Sequence, residues 1–353
     1  MKMAPLVEAM SYNPDLTQQL LHTGQHYDDK MSQIFFDELG IPRPDIHLGV
    51  GSGSHAEQTA RVMVAFEKVL LEQMPDVVVV VGDVNSTLAC AVTAAKLWVP
   101  VAHVEAGLRS FDRKMPEEIN RIVTDALSDF LFTASVDADE NLQREGIPSE
   151  KIFFVGNVMI DTLYQHRKHA QLLGTPASLG LEPGNYGLVT LHRPSNVDDP
   201  TSLAGILGAL GKIQQDIPLI FPVHPRTTQR LEAFGLSSRL VEMPDLHLID
   251  PLGYLAFLDL MMHARLVLTD SGGIQEETTI LGIPCLTLRD NTERPITITE
   301  GTSQLVGNDP RRILQAAQNI LAGQTKAGRV PALWDGQAAQ RIVEILQTRL
   351  GSA

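Results

Sequence analysis

Cysteine is almost absent from this 353-residue chain: there are two, Cys90 and Cys285, far apart in sequence and each within an apolar segment. That excludes a disulfide framework and a cysteine metal site, because both need several thiols at characteristic spacings. Two isolated thiols fit a reducing cytoplasm. Basic residues are also scarce, 28 against 42 acidic, which gives a formal charge of −14 at pH 7. With no basic block anywhere, a nucleic-acid surface is excluded, and the acidity reports solubility. No run approaches the ~20 apolar residues of a membrane helix, and no basic region followed by an apolar stretch and a cleavage site opens the chain. Repeats at a solenoid period and low-complexity tracts are missing too. The expectation is a soluble cytoplasmic protein that contacts neither membrane nor nucleic acid. Its length exceeds the size at which single cores stop growing, and 44% hydrophobic residues supply two cores.

Short apolar runs alternate with helical patterns almost throughout, which is the signature of parallel α/β layers. Val77–Val81 has five valines in a row. Such a run without polar alternation fits a parallel strand covered on both faces. Val99–Val104 follows through a helix at Ser86–Leu97, and Phe130–Thr133 and Ile152–Val155 extend the first half. Between Gln171 and Asn185 the text is rich in Gly and Pro, which predicts a linker over 171–185 between domains at 1–170 and 186–336. The second half restarts with strands at Tyr186–Leu191, Leu219–Val223, Leu246–Ile249, Leu266–Thr269 and Cys285–Leu288. Two Rossmann-like, doubly wound domains are expected. Residues 309–322 and 337–350 read as terminal helices.

The richest stretch is Leu266–Glu277, LVLTDSGGIQEE: a strand, a Ser-Gly-Gly turn and a helix start. Backbone N–H groups and the positive end of a helix at a sheet edge suit an anion such as a diphosphate. The plainer reading is a tight turn with Ser271 as a helix cap. A second strand ends nearby in Arg289, Glu293 and Arg294. In the first half, two consecutive parallel strands present their carboxyl ends on one edge, so Asp83 and Glu105 should share a crevice. Asp83 could simply cap a helix, whereas a carboxylate ending a buried strand, as Glu105 does, is costly without a use. Glu117 opens a helix behind Pro116 and stands four residues before Arg121, the spacing of an ordinary helical ion pair. Three carboxylates in one domain and an anion site in the other suggest proton transfer on a sugar nucleotide. His192 and His224, each after a strand, read singly as satisfied strand-end residues, and as a pair at equivalent sheet edges they fit a polyphosphate-facing role. No ligand cluster implies a metal.

In order along the chain stand TGQHYDDKMS (Thr23–Ser32), GDVNST (Gly82–Thr87), HVEAGLRS (His103–Ser110), PEEINR (Pro116–Arg121), LHRPSN (Leu191–Asn196), TDSGGIQEE (Thr269–Glu277) and LRDNTERP (Leu288–Pro295). Together they resemble the non-hydrolysing UDP-N-acetylglucosamine 2-epimerases nearly end to end. The resemblance implies a glycosyltransferase-B fold with an interdomain cleft, a final helix at 337–353 returning to the first domain, a homodimer and no cofactor. It implies inversion at C2 of UDP-GlcNAc to UDP-ManNAc by elimination of UDP to 2-acetamidoglucal and re-addition; a related UDP-sugar such as a 2,3-diacetamido-uronate, a hydrolysing variant and an inactive UDP-sugar-binding protein are the alternatives. By motif, Asp83, Glu105 and Glu117 would be the acid/base set and His192 would assist the leaving phosphate. Lys2, Arg121, His224, Phe257, Ser271, Gly272, Gly273, Glu277 and Arg294 would hold the substrate. Gln25, His26 and Arg193 resemble the second UDP-GlcNAc site of regulated members, although Pro194-Ser195 stands where those commonly carry Arg-Glu. Family chains also open with a strand and a Gly-Thr-Arg-Pro-Glu loop before the helix that here starts near Met3, so the first strand is expected to be missing and the natural chain to be longer.

Overall fold

The valine run Val77–Val81 supplies a parallel strand; Val80 is buried and the other four valines are half-buried, so its faces are covered only in part. In the computed structural model, which describes residues 1–24 and 36–351, the chain divides into two units. One is Met1–Gln165 with Ala332–Ala353, the other His166–Pro331. The first crossing thus falls inside the helix Val158–Gln171, upstream of the expected linker. Segment 171–185 belongs to the second unit because it is anchored there. The Thr175 N–H donates to the buried Asp259 carboxylate at 2.6 Å, and the Gly184 N–H donates to the His263 carbonyl at 2.8 Å. The return to the first unit comes at Ala332, ahead of residue 337. Among the described residues no helix is long and apolar enough to cross a membrane.

The first unit holds a parallel pair, β1 (Leu21–His22) and β2 (Ile46–His47), and a four-stranded parallel sheet. The latter runs β3 (Val78–Val81), β4 (Val101–Ala106), β5 (Phe130–Thr133), β6 (Ile152–Phe154). Among the described residues no strand joins pair to sheet. The two pieces still share a core, since Leu21 and Val78 both pack against the cluster containing Val62, Phe66, Val80 and Ala91. On another side of the sheet, Ala338, Ala339, Ile342 and Leu346 of the last helix pack with Leu6, Ala102, Val104 and Phe132. Asp161 fixes the start of that helix by accepting the Ala338 and Ala339 N–H groups at 3.1 and 2.7 Å. Just before it, Trp334 is fully buried and its indole N–H donates to the Ala134 carbonyl at 2.8 Å.

The second unit is one six-stranded parallel sheet. Its strands are β7 (Gly187–Thr190), β8 (Leu219–Pro222), β9 (Leu246–Ile249), β10 (Leu266–Thr269), β11 (Cys285–Thr287) and β12 (Ser303–Leu305). Their order is β12-β11-β10-β7-β8-β9. The chain therefore moves outward from β7, then returns to the other side of β7 with β10. That reversal is a topological switch point, where ligands bind beyond the strand ends. Thr190 pairs with Thr269, so the residues leaving β7 and β10 emerge side by side.

Removing the Trp334 side chain should cost the first unit about 3–5 kcal/mol, as expected for a buried tryptophan. Urea denaturation of Trp334→Ala measures this; a loss below about 1 kcal/mol would show that 332–353 is not part of that core.

Candidate active site

At the end of β3 the chain turns at Gly82 (φ +73°), a conformation glycine adopts without strain. A side chain there would sit 3.3 Å from Lys2 Nζ and 3.9 Å from a Glu105 carboxylate oxygen. Its absence leaves room for Lys2 and Glu105, which form an ion pair above the turn. Glu105 itself is buried and has φ +70°. For a glutamate that left-handed conformation costs roughly 1–2 kcal/mol, and strain of this kind gathers at functional sites. The cause is local: the β4–β5 register shifts between Val104 and Ala106, so β4 continues through Glu105 rather than ending before it. The cap position of the following helix Asn85–Lys96 falls on Val84 rather than on Asp83. The Asp83 carboxylate instead binds Arg121, and its carbonyl accepts from the Asn120 side chain at 2.9 Å. The parallel-strand argument for bringing Asp83 and Glu105 to one edge holds: the Gly82 N–H donates to the Val104 carbonyl at 3.1 Å.

Arg121 is buried because its partners are. Glu118, three residues earlier on the helix Pro116–Leu127, accepts from Arg121 Nε at 3.0 Å and Nη2 at 2.5 Å. It also accepts the Ser110 and Phe111 amides at 3.0 and 2.8 Å. Burial alone would raise the Glu118 carboxyl, but the Ser110 amide, Arg121 and the Phe111 amide outweigh it and hold it below its ordinary range. Glu117, the residue singled out in the sequence, sits half-buried in the first turn. The neighbour Glu118 was not singled out, and the doubled Glu after Pro116 was its only signal.

In the second unit the helix Gly272–Leu281 follows β10, and the Ser271 side chain makes no capping hydrogen bond. Ser271 thus stands at the cap position of the turn, as the plainer reading has it, but leaves the first amides of the helix uncapped by its hydroxyl. A Cβ at Gly272 would overlap the Arg294 guanidinium, so this backbone and that cation are in direct apposition. Arg294 is tied to Glu293 and to Glu276 at 2.7 Å, and Arg289 also binds Glu293 at 2.7 Å. Arg193 reaches Glu293 at 4.0 Å, while Gln25 and His26 lie outside the described residues. Gly273 continues the first turn, and Phe257 is half-buried on the helix Tyr254–Met262.

His192 is oriented by Asp270, a residue the sequence reading passed over although it directly precedes Ser271. Asp270 accepts the His192 and Arg193 amides at 3.0 and 2.9 Å and the Asn196 side chain at 3.1 Å. The His192 ring Nδ1 lies 3.0 Å from it. Burial pushes Asp270 up, but His192 and the two amides prevail and keep it ionised below the usual carboxylate range. His224 lies with its ring 5.8 Å from that of His192 and caps the helix Pro225–Ala233, its Nδ1 accepting from the Arg226 N–H at 3.2 Å. Partial burial, then His192 and Arg226, lower its pKa. One ring thus presents a hydrogen-bearing Nδ1 to Asp270, and the other stays neutral.

Two Rossmann-like units of parallel strands place the chain in the glycosyltransferase-B-like class of nucleotide-sugar proteins. Residues 8–347 match the sequence model of the UDP-N-acetylglucosamine 2-epimerase family, so the chain belongs to that family and is an isomerase by class. It is 45% identical to the UDP-N-acetylglucosamine 2-epimerase of Methanocaldococcus jannaschii, covering 98% of this chain and 95% of that one. It is 43% identical, over the same shares, to the UDP-2,3-diacetamido-2,3-dideoxy-D-glucuronate 2-epimerase of Pseudomonas aeruginosa. The crystal structure of the M. jannaschii protein in complex with UDP-GlcNAc and UDP matches with a TM-score of 0.92 over 98% of this chain and 96% of that chain.

Glu277 gives a pH test. Burial raises its carboxyl to about 8, against one opposing hydrogen bond from the Tyr254 hydroxyl at 2.9 Å. The folded state therefore keeps a proton that the unfolded chain releases near its ordinary 4.5. Stability should fall as pH rises between those values. Glu277→Gln removes this slope, so denaturation midpoints at pH 5 and pH 8.5 should differ less in the variant than in the wild type. Parallel behaviour of the two proteins would show that Glu277 is ionised throughout.

Proposed function

We propose that this chain inverts C2 of a UDP-linked 2-acetamido sugar, interconverting UDP-GlcNAc and UDP-ManNAc. The observation that carries the reading is the strained, buried Glu105 against Lys2, with Asp83 held by Arg121 at the neighbouring strand end. The C2 hydrogen has no adjacent carbonyl to acidify it, so direct deprotonation is closed. Elimination solves this. A carboxylate base takes the C2 proton, the C1–O bond breaks, its electron pair leaves with UDP, and 2-acetamidoglucal remains. UDP oxygen then re-adds at C1 while a second acid delivers a proton to the other face of C2.

Asp83, Glu105 and Glu117 supply the acid and base groups for these two half-reactions. The departing diphosphate is received by the amides at Ser271, Gly272 and Gly273, by Arg294, and by His192, whose ring Asp270 orients. Glu277 would hold the ribose and Phe257 would lie along the uracil. The 43% identity to a 2,3-diacetamido-uronate 2-epimerase, beside 45% to a UDP-GlcNAc 2-epimerase, supports a second reading with that sugar. The chemistry at C1 and C2 is the same in both. A cytoplasmic homodimer is proposed on the family resemblance, and light scattering of the purified protein measures it.

Incubation with UDP-GlcNAc in D₂O, followed by NMR, should show deuterium at C2 and the manno epimer appearing. Asp83→Asn and Glu105→Gln should each slow exchange by about 10²–10⁴-fold. Turnover confined to the diacetamido-uronate would favour the second reading, and no C2 exchange with either sugar would sink both.

A further inference from the structure

The mechanism makes no use of His103, a fully buried residue of β4 two positions before Glu105. Its ring is gripped at both ends: Nδ1 is 2.6 Å from Asp125 Oδ1, and Nε2 is 2.8 Å from the Gly82 carbonyl oxygen. A carbonyl oxygen only accepts, so Nε2 bears a hydrogen. The state of Nδ1 depends on Asp125, a buried residue of the helix Pro116–Leu127. The other Asp125 oxygen accepts the Gly107 N–H at 3.1 Å and pairs with the Arg109 guanidinium at 2.7 Å. Arg109 is in turn clamped by Glu145 through two bonds of 2.8 and 2.6 Å. A carboxylate receiving a guanidinium and an amide is ionised and can only accept. Nδ1 therefore faces an acceptor as well, and the geometry offers a partner to a hydrogen on each ring nitrogen.

What the ring connects gives it a role. Gly82 is the residue before Asp83, and its carbonyl sits in the positive-φ turn beneath Lys2 and Glu105. Asp125 holds the amide of Gly107, two residues after Glu105, across the register shift that gives Glu105 its left-handed backbone. One planar group thus ties the turn carrying Asp83 to the turn carrying Glu105. A neutral histidine donates from only one nitrogen and would release one of the two.

We propose that His103 is a positioning residue: a buried imidazolium, with Asp125 as its counter-ion, that sets the separation of the Asp83 and Glu105 carboxylates for the two proton transfers. It rests on the function proposed above.

Nitrogen-15 NMR of the full chain labelled at its 11 histidines, at pH 7.5, reads the protonation state without reference to activity. One imidazole, identified by its loss in His103→Gln, should show hydrogen on both nitrogens. A bare nitrogen in that ring would overturn the proposal. His103→Gln, whose amide oxygen must face one of the two acceptors, should lower kcat for C2 exchange about 10- to 100-fold, with KM for the UDP-sugar and Kd for UDP within about threefold. A merely structural role would lower the melting temperature and leave the kcat of the folded fraction near that of the wild type, which would overturn the positioning role. Should His103→Gln fail to fold, Asp125→Asn is the second variant. It should leave His103 with a single hydrogen, on Nε2, and a similar loss in kcat; wild-type kcat would overturn the proposal. Absence of C2 exchange in the wild type itself would remove the positioning role together with the reading it rests on, leaving the protonation state as measured. A bare ring nitrogen in an active wild type would overturn this inference alone.

Discussion

A carboxylate stays charged inside a protein only where enough hydrogen-bond donors converge on it, and in this chain that requirement locates the loops. The buried acids form a series graded by their donors. Asp125 receives a histidine, an arginine and an amide and is held low despite complete burial. Asp270 gathers two amides, an asparagine and the His192 ring, and it too is held low. Asp161, with two amides, is pushed above its ordinary value by burial. Glu277, with one tyrosine, rises to about 8. Desolvation acts on all four. The count and charge of the donors decide which side wins.

The same convergence explains the shape of the site in each unit. Glu118 fixes the Ser110–Phe111 backbone and Arg121 together, and Arg121 then reaches Asp83. Asp270 fixes the chain leaving β7 by its amides and the His192 ring by its side chain. In the first unit the acid acts on the partly exposed Asp83 through the buried Arg121, and in the second it acts on His192 directly. A half-exposed side chain on a short turn would otherwise sample several rotamers, at a cost in entropy when substrate fixed it.

The layers of this fold were legible because their signals are local. Unbroken valine runs and strand-turn-helix spacing located β3 through β11 to within a few residues. β4 differs at both ends. It begins after Pro100, which has no N–H for the ladder, and it runs on past Glu105 through a bulge that apolar patterning does not record. The pair β1 and β2 and the short β12 were not anticipated, since Leu21–His22, Ile46–His47 and Ser303–Leu305 each hold a single apolar residue, unlike the equally short β6 and β11. Site residues divide in the same way. Asp83, Glu105 and Ser271 stand at or just past a strand end, where strand-turn-helix spacing points to them, whereas Arg294 lies well beyond β11 and only its motif marks it. Glu118, Asp125 and Asp270 escaped notice because a buried acid is identified by the donors around it, and those come largely from distant parts of the chain.

The two units also differ in how their sequence is arranged. All of the second is one uninterrupted stretch, His166–Pro331, whereas the first begins at Met1 and is completed only by Ala332–Ala353. During synthesis the second unit can therefore fold as soon as it leaves the ribosome, with every strand of its sheet in hand. The first must wait, its face around Leu6, Val104 and Phe132 uncovered until the final helix emerges. Until that helix is made, the nascent first half exposes apolar surface of the kind on which folding intermediates associate.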